Sequence, residues 1–144
     1  MKEQPLGMRV FAPLLISSLL VAGTACNLSS QEGKVEQSVV LTKANHDQTV
    51  KVAAGGQVTV RLSWSPGTGY DWVLTKHDPE VLRQQGEAQT EPNKNPMPGA
   101  PETRIFQFKA LKSGTSALEF QSRRIFEKNE APQDVFRVQV VVSQ

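Results

Sequence analysis

Between Val58 and Trp64 the chain alternates without a break: Val58, Val60, Leu62 and Trp64 are apolar, and Thr59, Arg61 and Ser63 between them are polar. A period of two puts successive side chains on opposite faces of an extended chain, so this segment is a strand with one buried face. The pattern returns at Val50 and Val52, at Phe106, Phe108 and Ala110, and at Leu118 and Phe120. It returns again at Phe136, Val138, Val140 and Val142. Val39 and Leu41 open a first strand, and Tyr70, Trp72 and Leu74 another. Turn-forming residues stand between them: Asn45 to Gln48, Ala53 to Gly56, and Lys112 to Thr115. No segment sustains a helical period, though Pro79 to Gln84 has room for one turn. About seven short strands separated by turns predict an all-β domain, a sandwich with a closed barrel as the alternative.

One stretch breaks the rhythm. Arg83 to Pro101 is polar and carries Pro92, Pro96, Pro98 and Pro101. A loop of that length in a compact domain is expected to be functional or unstructured. The chain has 144 residues, 38% of them hydrophobic and 21% charged, which suits a single globular domain.

The first residues read as an export signal. Lys2 and Arg9 precede an apolar run from Val10 to Ala22, which is shorter than the roughly 20 residues of a membrane span. Gly23-Thr24-Ala25-Cys26 follows, with polar Asn27, Ser29, Ser30 and Gln31 after it. Small residues before a lone cysteine resemble the lipobox of bacterial lipoproteins. The resemblance implies a signal peptide over 1–25, lipidation of Cys26, a flexible tether over 26–36 and a folded domain over 37–144. The protein is then an exported lipoprotein of the bacterial cell envelope, or a secreted protein if cleavage after Ala25 leaves Cys26 unmodified. With a single cysteine, no disulfide can form within the chain.

The chemistry of an enzyme is missing. The two histidines, His46 and His77, lie in turn-like surroundings and read as solvated surface residues. No metal-ligand pair, phosphate-cradling loop or nucleophile elbow occurs, and spacing nominates no acid–base pair of carboxylates. A net charge of +2 is not the footprint of a nucleic-acid binder. Neither a cofactor, a metal nor a small-molecule substrate is expected.

Three loops carry a different signal. Ser65-Pro66-Gly67-Thr68-Gly69-Tyr70-Asp71-Trp72 joins two strands. Pro66 presets φ, the two glycines permit tight turns, and the small side chains make a narrow tip that fits a cleft. This stretch resembles the first signature of the chagasin-like peptidase inhibitors, Asn-Pro-Thr-Thr-Gly-Tyr-x-Trp, with Ser65 and Gly67 as the departures. Gly99-Ala100-Pro101-Glu102-Thr103-Arg104-Ile105-Phe106 stands where that family has Gly-x-Gly-Gly before an aromatic strand, and keeps one of those glycines. Arg124-Ile125-Phe126-Glu127 is similar to the third signature, Arg-Pro-Trp followed by Glu, with Ile125 in place of Pro.

The resemblance spans about Val35 to Val142. It implies an immunoglobulin-like β-sandwich whose three loops, gathered at one end, wedge into the cleft of a papain-like cysteine peptidase. The contact residues so implied are Pro66, Gly67, Thr68, Gly69, Gly99, Ala100, Arg124, Ile125 and Phe126. The partners so implied are that peptidase and, through Cys26, a membrane. A β-sandwich that binds another protein or a glycan of the envelope without inhibiting anything is the alternative, since fold does not fix function.

Overall fold

The computed structural model describes residues 37–95 and 97–144. The expected signal segment, Cys26 and the tether lie outside the described residues. Nine strands form among the described residues: β1 (Ser38–Leu41), β2 (Gln48–Ala53), β3 (Gln57–Trp64), β4 (Tyr70–Lys76), β5 (Leu82–Gln84), β6 (Gln89–Glu91), β7 (Glu102–Ala110), β8 (Gly114–Arg124) and β9 (Asp134–Ser143). They make two sheets. One runs β1-β3-β7, with β5 and β6 both on the free edge of β7. The other runs β2-β9-β8-β4. The result is a two-layer sandwich rather than a barrel.

The alternating residues account for the packing. Val58, Val60 and Leu62 of β3 and Phe106, Phe108 and Ala110 of β7 face inward from the first sheet. Leu118 and Phe120 of β8 and Phe136, Val138 and Val140 of β9 meet them from the second. Phe120 joins the layers. Its ring lies 4.6 Å from Phe106, 6.2 Å from Phe108 and 6.1 Å from Phe136, within the range over which aromatic rings attract, and the Phe108 contact is edge to face. Ser116 is buried among them, and its hydroxyl accepts the Asp78 amide at 2.9 Å, so the burial leaves that oxygen partnered.

Two expectations need correction. The polar stretch from Arg83 to Pro101 is not one long loop, because β6 and most of β5 lie in it. Short edge strands of three residues carry too little pattern to be read by period, and this raises the count from about seven strands to nine. The single helical turn given room at Pro79 to Gln84 is present, with the Leu82 amide on the Asp78 carbonyl at 2.8 Å and the Val81 amide on the same oxygen at 3.2 Å. Leu82 is then fully buried and pairs with Ala110, so the chain straightens there. His46 is more engaged than a solvated histidine: its Nδ1 accepts the Arg137 amide at 3.1 Å, and its Nε2 lies 3.1 Å from Asp47.

Register decides where the loops emerge. Trp64, the last residue of β3, pairs with Glu102, the first of β7. Tyr70, the first of β4, pairs with Arg124, the last of β8. The connections β3–β4, β6–β7 and β8–β9 therefore leave the sandwich at the same end.

Candidate functional site

The central loop is a single tight turn. Pro66–Thr68 winds as a short 3-10 turn, with the Thr68 amide on the Ser65 carbonyl at 3.2 Å and the Thr68 hydroxyl on the same oxygen at 2.7 Å. Gly69 ends it at φ +78°, a left-handed conformation that an L side chain resists. Pro66 to Gly69 are all exposed, and a Cβ placed on Gly67 would touch nothing within 4 Å. The tip is thus small, bare and folded on itself. Its one hydroxyl is engaged with the backbone, so it offers no nucleophile.

Two tryptophans staple the base of this loop. The Trp64 indole N–H donates to the Tyr70 carbonyl at 2.6 Å, across the mouth of the loop. The Trp72 indole N–H donates to the Ser63 carbonyl at 2.8 Å. Each bond joins β3 to β4, strands that belong to different sheets. Tyr70 and Trp72 thus support the loop rather than crown it.

Behind them sits an ion pair that the sequence did not announce. Arg104 of β7 donates through Nε to Asp71 Oδ1 at 2.8 Å and through Nη2 to Asp71 Oδ2. Its Nη1 reaches the Thr90 hydroxyl of β6 at 2.5 Å. The same guanidinium stacks 4.3 Å from the centre of the Trp64 ring. The two side chains are only 21% and 13% exposed. A usable signal existed. The inward row of β7, Phe106, Phe108 and Ala110, extended two residues back, lands on Arg104, and a charge in such a row needs a partner.

The second loop begins after Glu91. The Ala100 amide closes on the Met97 carbonyl at 2.9 Å, with Pro98 and Gly99 between, and Gly99 lies at φ +80°. Proline followed by a left-handed glycine is the arrangement a type II turn requires. Asn93 Nδ2 donates to the Pro101 carbonyl at 3.1 Å, and Asn93 Oδ1 accepts the Asn95 amide at 2.9 Å. Gly99 is exposed and Ala100 half-buried, while Met97 points 71% of its surface outward.

The third loop presents large side chains. Phe126 is 92% exposed and Ile125 55%. Arg124 lies 5.1 Å from the centre of the Tyr70 ring and donates to Glu127 at 3.2 Å, a contact that raises its pKa further above the usual value. The base is tied where Gln133 donates to the Ser122 carbonyl at 2.8 Å and Lys43 reaches Asp134 at 2.6 Å. Between this base and the central loop lies an open depression of about 360 Å³ walled by Trp64, Thr68, Tyr70 and Gln133.

Eight of the nine nominated contact residues fall in these three loops, and Arg124, the last residue of β8, stands at the root of the third. Arg124 links the third loop to the central one through Tyr70, and Arg104 links the root of the second to it through Trp64. The assembly can present a rigid, narrow projection with apolar flanks. It holds nothing arranged for bond breaking.

Comparison with known proteins agrees with this shape. The family model described as chagasin family peptidase inhibitor I42 matches residues 51–140. Amoebiasin-2 of Entamoeba histolytica is 27% identical over 103 residues, which cover 72% of this chain and 84% of that protein. Among solved structures, the cysteine protease inhibitor EhICP2 of the same organism superposes with a TM-score of 0.67 at 23% identity, over 74% of this chain and 96% of that one. PbICP-C, solved in complex with falcipain-2, gives 0.54 at 18% identity, over 74% and 99%. These likenesses show the fold, the immunoglobulin-like sandwich that the three signatures implied.

Proposed function

Because this chain belongs to the chagasin family of peptidase inhibitors, we propose that it is a reversible, competitive inhibitor of papain-like cysteine peptidases that acts through the three loops just described. The observation that carries the reading is the central loop. A bare Gly67-Thr68-Gly69 tip, held by two indole hydrogen bonds, can approach a cleft closely and loses little freedom on binding. The tip brings no nucleophile and no metal ligand, so the block is steric. The exposed Ile125 and Phe126 then grip one wall of the cleft and the Gly99–Ala100 turn the other. Titration of the purified domain against papain tests this. Activity should fall to zero near a one-to-one ratio or at low micromolar inhibitor, with no effect on trypsin. A folded domain that leaves papain untouched would instead favour a binding module for another envelope protein or glycan.

We also propose that Cys26 carries a lipid anchor on an exported protein, which rests on the sequence around it. In the native host the protein should partition into the detergent phase, and Cys26→Ser should move it to the aqueous phase. A wild-type protein found wholly in the aqueous phase would remove the anchor. Stable attachment requires more than one acyl chain.

A further inference from the structure

We propose that the Asp71–Arg104 pair is a positioning clamp for inhibition, holding the central loop at a fixed attitude to the root of the second. The proposal rests on the inhibitory reading above and deepens it. Four contacts meet on one guanidinium: two to the Asp71 carboxylate on β4, one to Thr90 on β6, and the face-on stack against Trp64 on β3. Asp71 Oδ1 in turn accepts the Trp72 amide at 2.8 Å, and Trp64 holds the Tyr70 carbonyl. Trp72 is therefore bonded to this pair directly, and the Tyr70 carbonyl is tied to it through Trp64. Arg104 also lies two residues beyond Glu102, where the second loop rejoins the sheet. A charged pair with most of its surface withdrawn from water is a poor way to gain stability, since apolar residues of similar volume often do as well. A planar, bidentate, stacked arginine does fix direction, which lysine or an apolar contact cannot do. Pre-ordering the loop lowers the freedom lost when it enters a cleft.

The test is a double-mutant cycle on the intact domain: Asp71→Asn, Arg104→Gln and both together, with Arg104→Lys as a milder variant should the others fold poorly. Arg123 stands opposite Asp71 in the β4–β8 register, so the Arg104 variants are read against the Asp71 arm. Inhibition constants are measured far below the melting temperature, where each variant is fully folded. Each single change should weaken papain inhibition about tenfold, roughly 1.4 kcal/mol, and the double should weaken it by much less than the product of the two. Arg104→Lys should fall between wild type and Arg104→Gln. Hydrogen exchange at residues 65–70 should quicken in the single variants while β8 and β9 stay protected. Unchanged inhibition with a lowered melting temperature would make the pair structural only and overturn the clamp. A wild type that fails to inhibit would sink the functional reading. The exchange arm would then still decide the clamp, which falls if residues 65–70 exchange alike in all variants.

Discussion

Trp72, just beyond the central loop, is buried and gives its indole N–H to the Ser63 carbonyl, whereas Phe126 in the neighbouring third loop stands 92% exposed. The two loops emerge side by side from the same strand pair, Tyr70 opposite Arg124, yet they use aromatic residues in opposite ways. In the first, the large side chains lie beneath and the tip is made of glycine and threonine. In the third loop, the backbone is tied at its base and by the Glu127 amide on the Arg124 carbonyl at 3.2 Å, and the large side chains project. A loop meant to enter a narrow space gains from rigidity and lack of bulk, and a loop meant to lie along a wall gains from contact area. On the proposed reading, the difference separates residues that shape the inhibitor from residues set out to meet its target.

The largest expected effect sets stability against exposure. Trp72→Ala should cost about 3–5 kcal/mol of folding stability, as truncation of a buried aromatic does. Phe126→Ala should change it by less than about 0.5 kcal/mol. Thermal unfolding followed by calorimetry decides, and equal losses would erase the distinction between the loops. Next comes Gly67→Trp, which should raise the inhibition constant by at least about 2 kcal/mol, on the scale of a strong interface defect. The melting temperature should hardly move, because a Cβ at Gly67 meets nothing. A folded variant that still inhibits normally would take the tip out of the cleft. Phe126→Ala should weaken inhibition by about 1–3 kcal/mol. Arg124→Ala should weaken it as well, and identical constants for wild type and the double variant would leave the third loop outside the interface.

The smallest effect concerns acidity in the third loop. A hydrogen bond to Glu127, with that neighbour's negative charge, raises the Glu130 pKa, and Arg124 only partly opposes it. A carboxyl group with a raised pKa in the folded state favours that state while protonated. The contribution is complete below the ordinary glutamate range and is lost as pH rises through the raised value. The Glu130 carboxyl carbon signal should therefore titrate just above that range, and Glu127→Gln should bring it back down. A Glu130 titration unmoved by Glu127→Gln would have another origin.

Much of this architecture could be read from residue order. Strands β3, β7, β8 and β9 show their buried faces through alternation alone, and the glycines at 67, 69 and 99 mark turns. Strands β5 and β6 escaped because three residues cannot display a period, and because Leu82 is held by a partner on β7 far along the chain. The Asp71–Arg104 pair escaped for a related reason. Asp71 occupies an ordinary polar position in its own strand, and its partner lies in the other sheet. Sequence reveals what repeats locally, and it is silent on which distant groups will meet.

One pairing has a kinetic meaning. β2 lies parallel to β9, Gln48 beside Val138 and Ala53 beside Ser143, and touches no other strand of its sheet. A segment from the first half of the domain must therefore wait for nearly the last residues before it has anything to bond to. Such distant closures make β-sandwiches slow folders, on the order of milliseconds to seconds. Until then, β2 and β8 each present a bare ladder edge on which another chain can nucleate. The C-terminal strand is thus the closing step of assembly, and a chain clipped before Asp134 loses two ladders at once and is left prone to aggregate.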